Sequence, residues 1–184
     1  MSEAVRHNAA RRPGKTAYLD CPRSALSWLD FDRSATALAE QLTGLGVTPK
    51  DRVAVWHGDS APIHVPFVAI ERCGAIVVGI GARAGTREAT HILRSTRPRL
   101  LIGDPQREQS ATVAAASLPI PALSLRDLSL DTQVAPQALM GDPSVGPDDV
   151  FLINSTSGTT GQPKCVVHTQ NRWHYFHQKA VANG

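Results

Sequence analysis

The residues with the clearest capacity for chemistry lie in one short run near the end of the chain, STSGTTGQPK. Its two glycines leave backbone N–H groups sterically open, and serine and threonine hydroxyl groups surround them. Lys164 adds a positive charge, and Pro163 restricts the backbone just before it. These groups together are typical of a binding site for an anion such as a triphosphate. The candidate binding residues are Thr156, Ser157, Gly158, Thr159, Thr160, Gly161 and Lys164.

The segments around this run predict a loop between two strands. DVFLIN before it is almost entirely apolar, and KCVVHT after it also has the composition of a strand. A Walker A loop needs a lysine directly after its second glycine, then serine or threonine. Here Gln162 and Pro163 precede Lys164, and Cys165 follows it. The spacing therefore disfavours a P-loop NTPase and indicates a phosphate-binding loop that joins two strands.

The rest of the chain predicts alternating strands and helices, which is typical of a mainly parallel α/β sheet layered with helices. The predicted strands are TAYLD, ALSWL, RVAVW, AIVVGIG, PRLLIGD and PALSL. Phe31, Ala35, Leu38, Leu42 and Leu45 follow helical spacing after Ser27 and Asp30, which resemble a capping box. The other predicted helices are SAPIHVPFVAIERCG, TREATHILRSTR with Thr86 as its N-cap, and 106–117. Pro62 suits a first turn, whereas Pro66 predicts a kink or a delayed start.

Composition argues against several classes of protein. The chain has 184 residues, 42% of them hydrophobic, which suits a globular domain. Its 19 Lys and Arg residues are dispersed, so the net charge of +3 does not indicate a nucleic-acid partner. Three separated cysteines suggest neither disulfides nor zinc. The apolar run AIVVGIGA is too short to span a membrane, so we expect a cytoplasmic protein.

The run TSGTTGQPK resembles the signature loop of the adenylate-forming (AMP-binding) superfamily, which includes acyl-CoA synthetases, luciferases and the adenylation domains of peptide synthetases. Segments such as RRPGKTAYLD and GPDDVFLIN resemble matching family segments, in the same order. The resemblance implies the first part of a large N-terminal domain, without the C-terminal domain. It divides the chain into a first α/β segment (1–103), a loosely structured connection (104–148) and a phosphate-loop segment (149–184). Such a portion is expected to expose apolar surface.

The resemblance also implies a reaction. The family uses Mg²⁺-ATP to convert a carboxylic acid to an acyl-adenylate, and many members then transfer the acyl group to coenzyme A. Thr156 to Lys164 would wrap the ATP phosphates, with Lys164 and Thr159 as catalytic residues. The ligands of Mg²⁺ and further motifs are expected beyond this chain. The 184 residues alone are therefore not expected to catalyse the reaction. The expected partners are the acid, ATP, CoA and the rest of the same enzyme. The sequence does not decide whether the enzyme forms homo-oligomers.

Two alternatives stay open: an adenylation domain of a peptide synthetase, and a truncated, non-catalytic relative that binds a nucleotide or a partner. The sequence does not identify the acid. Cys165 stands where the family most often has glycine, and we interpret it as a small replacement, because no base is paired with it.

Other residues near the C-terminus also have two interpretations. His168, His174 and His177 could suggest a metal site, but no Cys or carboxylate completes it, which favours surface or interface histidines. Trp173, Tyr175 and Phe176 could line an acyl pocket, although aromatic residues on a helix are more often core. The run GIGARAG is rich in glycine but lacks the dinucleotide-binding pattern, so we interpret it as a structural turn.

Overall fold

The structure is a computed structural model that describes residues 1–20, 24–58, 63–116, 118–128, 145–156 and 163–183. The helices are α1 (Ser2–Arg11), α2 (Trp28–Gly44), α3 (His64–Arg72), α4 (Thr86–Thr96), α5 (Glu108–Ala115) and α6 (Gln170–Asn183), with a 3₁₀ helix at Pro105–Arg107. The strands are β1 (Thr16–Asp20), β2 (Ser24–Ser27), β3 (Arg52–Trp56), β4 (Ile76–Ile80), β5 (Leu100–Gly103), β6 (Ala122–Ser124), β7 (Val150–Thr156) and β8 (Lys164–Thr169). None of the described helices combines the length and the apolar character needed to cross a membrane.

Among the described residues, six strands form one sheet in the order β6-β5-β3-β4-β7-β8. The neighbouring strands are parallel except for β7 and β8, which are antiparallel. β1 and β2 form a separate antiparallel hairpin. The predicted α/β class with a mainly parallel sheet is therefore confirmed.

Helices cover both faces of the sheet, so its inner strands are buried on both sides. Val53 and Val55 of β3 belong to a core shared with α1, α2 and α3. Ala54 and Trp56, which alternate with them, belong to a second core shared with α4 and α5. Burial on both faces explains why the strand sequences are continuous apolar runs instead of alternating patterns.

The capping box predicted at Ser27 is confirmed in its main hydrogen bond, because Ser27 Oγ accepts from the Asp30 amide at 3.1 Å. Ser27 Oγ also donates to the Asp30 carboxylate, at 2.6 Å. This cap starts α2 at Trp28, so the predicted strand ALSWL extends too far and ends at Ser27. Leu45, the last residue in the predicted helical spacing, lies beyond the end of α2 at Gly44 and is 49% exposed.

The predicted N-cap of α4 is wrong by one residue. Gly85 is the N-cap, in an extended conformation, and Thr86 is the first helical residue. GIGARAG lies at the end of β4 and in a turn that the Ala84 amide closes by donating to the Gly81 carbonyl at 2.9 Å.

The structure changes the bounds of two other predicted helices. Pro66 lies in the first turn of α3, where a missing N–H breaks no hydrogen bond. Pro62 lies outside the described residues. The helix predicted at 106–117 begins instead as the 3₁₀ turn and continues as α5 to Ala115. Most of the connection between β6 and β7, residues 129–144, lies outside the described residues.

A buried polar network joins the first three helices. Arg72 of α3 and Asp32 of α2 are each 2% exposed, and their side chains form an ion pair at 2.5 Å. Arg72 also donates to the Asp32 carbonyl at 2.7 Å, to Thr36 Oγ1 at 2.6 Å and to Ser2 Oγ of α1 at 3.0 Å. Burial lowers the pKa of Arg72, and the charge of Asp32 opposes this shift. The guanidinium is thus satisfied by partners on two other helices.

We expect Arg72→Met to lower the free energy of unfolding by about 3 kcal/mol or more, because it leaves the Asp32 carboxylate buried and uncompensated. The double variant Arg72→Met/Asp32→Leu should lose less than the single variant, because no buried charge remains. Urea unfolding followed by circular dichroism measures both. A single variant within 1 kcal/mol of wild type would show that the ion pair does not hold these helices.

The β1–β2 hairpin contacts the main body through a stacked aromatic pair. The rings of Tyr18 and His64 lie 4.0 Å apart between centroids, with an interplanar angle of 6°. Tyr18 also contacts Phe31 of α2 edge to face, at 5.5 Å. Burial lowers the pKa of His64 below its ordinary value of 6.5 and raises the pKa of Tyr18. Folding therefore favours the neutral imidazole.

Because the folded-state pKa of His64 is lowered, its contribution to stability is present above pH 6.5 and declines as the pH falls below that value. We expect the free energy of unfolding to decrease between pH 7.5 and about 5.5, and His64→Phe to remove part of this decrease. Urea titrations across this range measure the slope. His7→Gln, at an exposed histidine of α1, is the matched control, and an equal slope in His64→Phe and wild type would contradict the prediction.

Candidate functional site

The β7–β8 hairpin brings the two ends of the predicted phosphate loop together. Thr156 ends β7 and pairs directly with Lys164, the first residue of β8. Thr156 Oγ1 donates to the Lys164 carbonyl at 3.4 Å, and both residues are exposed. The two strands predicted around the loop are therefore confirmed. The other predicted site residues, Ser157, Gly158, Thr159, Thr160 and Gly161, lie outside the described residues.

This hairpin opens at the edge of the sheet where the parallel strands end. β7 runs parallel to β4, so Thr156 lies at the same edge as the carboxyl ends of β3, β4 and β5. Open α/β sheets commonly bind ligands outside this edge. Asn154 of β7 pairs with Gly79 of β4, and a Cβ on Gly79 would lie 2.6 Å from Asn154 Oδ1. The glycine therefore makes room for the amide side chain next to the loop.

A second polar cluster, which the sequence analysis did not identify, follows β3 and β5 at the same edge. His57 is 6% exposed, and its Nδ1 lies 3.7 Å from Asp104 Oδ2. Asp104 also accepts hydrogen bonds from the amides of Gly58 at 3.2 Å and Gln106 at 2.8 Å. The signal in the sequence was the change from an apolar strand to a polar residue, at His57 after RVAVW and at Asp104 after LLIG.

The environment of Asp104 favours its ionised form. Burial alone raises the pKa of this carboxyl. Amide hydrogen bonds from Gln106 and Gly58 lower the pKa, as do the nearby side chains of His57 and Arg107. These effects together outweigh burial, so the pKa lies below its ordinary value. Arg107 lies 5.5 Å from the centre of the Trp56 ring and donates to the Ala82 carbonyl. These contacts connect the segments that follow β3, β4 and β5 into one rim beside the hairpin.

The side chains of β8 and α6 do not form a second reactive centre among the described residues. Cys165 is exposed, but partial burial raises the pKa of its thiol, which disfavours the nucleophilic thiolate. His168 contacts the rings of Trp173 and Phe176. His174 shares a hydrogen bond with Gln178, at 2.9 Å. The described part of the chain contains no group of three His, Cys, Asp or Glu residues that could hold a metal ion.

The aromatic residues of α6 separate into two groups. Trp173 packs against the first core, with its ring 5.8 Å from that of Phe151, so the core interpretation is confirmed for it. Tyr175 and Phe176 are 55% and 48% exposed, so that interpretation is wrong for these two. Val167 of β8 is also exposed. This end of the sheet therefore presents apolar groups to the surface.

Comparison with known proteins agrees with this architecture. Residues 5–183 match the family of AMP-binding enzymes. Feruloyl-CoA synthase of Amycolatopsis is 34% identical over 149 residues, which cover 79% of this chain and 28% of that protein. The nonribosomal peptide synthetase ungA' of Aspergillus campestris is 29% identical over 150 residues, which cover 77% of this chain and 1% of that protein. The solved structure of the anthranilate CoA ligase AuaEII in complex with anthranoyl-AMP has a TM-score of 0.84 at 27% identity and covers 96% of this chain and 35% of that one.

The chain therefore spans about a third or less of each of these three proteins. Its family match includes the cores on both faces of the sheet and both strands of the hairpin that carries Thr156 and Lys164. The structural likeness covers nearly the whole chain, and the fold is that of the N-terminal domain of adenylate-forming enzymes. The chain belongs to the family of AMP-binding, adenylate-forming enzymes.

Proposed function

We propose that this chain is an N-terminal portion of an enzyme that activates a carboxylic acid with ATP and transfers the acyl group to the thiol of coenzyme A. The observation that carries this proposal is the direct pairing of Thr156 and Lys164 at the carboxyl edge of the sheet, in a member of the AMP-binding family. In this proposal residues 1–103 form a first α/β segment, 104–148 a connection and 149–184 the phosphate-loop segment.

The loop acts on the phosphates of ATP in the first half-reaction. A carboxylate oxygen of the substrate attacks the α-phosphorus, and the bond from that phosphorus to the bridging oxygen breaks. The products are an acyl-adenylate and pyrophosphate. Phosphoryl transfer depends mainly on positioning and on stabilisation of charge, because the protein makes no covalent bond.

Each loop residue has a defined role in this proposal. The Lys164 ammonium group neutralises the charge that moves onto the leaving pyrophosphate, and the Thr159 hydroxyl donates to a phosphate oxygen. Thr156, Ser157 and Thr160 supply further hydroxyl groups, and Gly158 and Gly161 let backbone amides approach the phosphates. The exposed position of Lys164 next to Thr156 suits this role, because an anion can reach the ammonium group from solvent.

The magnesium ion that accompanies ATP requires oxygen ligands, usually one or two carboxylates together with the phosphates. Asp104, one described carboxylate at this edge, already accepts two amide hydrogen bonds, and the described residues include no group of three His, Cys, Asp or Glu that could hold a metal ion. We propose, as the family resemblance implies, that the protein ligands of Mg²⁺ come from parts of the enzyme outside this chain. When bound, the ion supplies further charge neutralisation at the phosphates.

The acceptor thiol has two candidates, because relatives of both kinds match the chain. Similarity to feruloyl-CoA synthase supports coenzyme A as the acceptor. Similarity to a nonribosomal peptide synthetase supports the alternative, in which the activated acid passes to the thiol of a carrier protein. Both share the adenylation step, so a test of that step comes first and a choice between the two thiols follows.

We expect Lys164→Ala to reduce acid-dependent pyrophosphate release by about 10²-fold or more, because one preorganised charge at the leaving group is lost. The measurement uses the enzyme encoded by the reading frame that contains this chain, with ATP and a panel of carboxylic acids. Lys15→Ala, at an exposed lysine outside the loop, is the matched control and should keep wild-type release.

Release that needs no acid, or a Lys164→Ala enzyme as fast as the control, would contradict the proposed function. Adding coenzyme A to a responsive acid then tests the second step, in which an acyl-CoA and AMP should form. Adenylation without acyl-CoA formation would reject coenzyme A and favour a carrier-protein thiol.

A further inference from the structure

A concave surface lies at the edge of the sheet opposite Thr156 and Lys164, where β5 and β6 begin. It is a cleft of about 830 Å³ between the ends of α2 and α4 and the segment 118–121 that leads into β6. A volume of this size is within the range of about 300–1,000 Å³ that is usual for small-molecule sites. We call it the amino-edge cleft. Its apolar walls come mainly from Leu45, Pro98, Leu100, Leu118, Ile120 and Leu123.

Three arginines line this apolar cleft. Arg94 lies in the last turn of α4, Arg97 is its C-cap, and Arg99 directly precedes β5. Arg99 Nη1 lies 3.8 Å from Asp51 Oδ2, which is longer than a hydrogen bond. The Arg94 and Arg97 side chains have neither an ion pair nor a hydrogen bond with any residue that the structure describes. All three arginines are exposed, so the cleft carries guanidinium groups that a ligand can reach from solvent.

The backbone around the cleft accommodates these side chains. Arg97 has φ 46° and ψ 61°, the left-handed conformation that glycine usually adopts at a helix end. Gly46, after α2, has φ +82°, and a Cβ there would lie 2.7 Å from Arg99 Nη2. The absence of a side chain at Gly46 thus leaves room for the guanidinium group of Arg99. One cation would suffice to complement the dipole at the end of α4, so the dipole does not account for three.

We propose that the amino-edge cleft binds an anionic amphiphile, an aliphatic chain that carries a carboxylate or a phosphate group. The apolar walls bury the aliphatic chain, and guanidinium groups form paired hydrogen bonds with either anion. A wholly apolar ligand would gain no contact with the guanidinium groups, and a small inorganic anion would leave the apolar walls exposed. The cleft is separate from the Thr156–Lys164 site, because β5 begins where its parallel neighbours begin and β7 ends at the other edge.

Isothermal titration calorimetry of the enzyme encoded by the reading frame that contains this chain tests this assignment with decanoate, decyl phosphate and decan-1-ol. We expect saturable binding of at least one anion, and binding of the alcohol at least tenfold weaker, because it forms no charge-assisted hydrogen bond. Arg94→Gln/Arg97→Gln should weaken binding of the anion about tenfold or more. Arg83→Gln/Arg87→Gln removes the same charge from exposed positions at the other end of α4 and should bind like wild type.

Leu45→Glu provides an independent variant, because Leu45 is 49% exposed and its replacement puts a negative charge on the cleft wall. We expect this variant to bind the anion more weakly than Val113→Glu, which changes an apolar side chain on α5 that is 58% exposed. The proposal is wrong if neither anion binds, if decan-1-ol binds as tightly as the anions, or if the Arg94/Arg97 variant binds like its control.

Discussion

The six-stranded sheet is buried on both faces, and this constraint decides where polar groups can lie. A polar group that faces α2 or α4 from the middle of a strand would lose its hydration, so those positions are apolar. Arg72 can be buried because Ser2, Thr36, the Asp32 carbonyl and the Asp32 carboxylate accept its hydrogen bonds between helices. Groups that are to meet a ligand must therefore lie where strands begin or end.

The two edges of the sheet differ in how their charges are balanced. At the carboxyl edge, Asp104 and His57 lie together, and Arg107 stacks on Trp56 while it donates to a backbone carbonyl. Lys164 and Arg83 are exposed cations at the same edge. In the amino-edge cleft, three exposed arginines lie beside apolar walls, and among the described residues only Arg99 has an acidic neighbour, Asp51. The first arrangement suits a polar ligand with several charges, and the second suits a ligand that is apolar over most of its length.

The sequence predicted best those elements whose pattern of apolar residues matches their burial in the fold. Continuous apolar runs such as RVAVW predicted β3, because a strand covered on both faces needs no polar alternation. Helix ends were less predictable. Thr86 has a side chain suited to an N-cap, yet the preceding Gly85 takes that position without any side-chain hydrogen bond. Leu45 continued the helical spacing, but its exposure depended on where the last turn of α2 ended.

Sequence patterns did not predict contacts between residues that become neighbours only through the order of strands in the sheet. Asp104 binds the Gly58 amide across 46 residues, because β5 lies next to β3 and not next to β4. The three arginines are close in sequence, but the cleft also needs Leu45 and the segment 118–121. The sequence showed basic residues spread along the whole chain. Only the fold shows that three of the arginines lie beside one apolar surface.

The direction of β8 explains why the candidate site can be built from so short a segment. A strand parallel to β7 would require a crossover of a dozen or more residues and would begin at the amino edge. Because β8 is antiparallel, its first residue returns to the edge that Thr156 has just reached. Lys164 thus lies beside Thr156 after a short loop, and the ladder that continues to Thr169 holds both ends of that loop. Among the described strands, this antiparallel pair is therefore what brings the lysine to the edge where we propose that ATP binds.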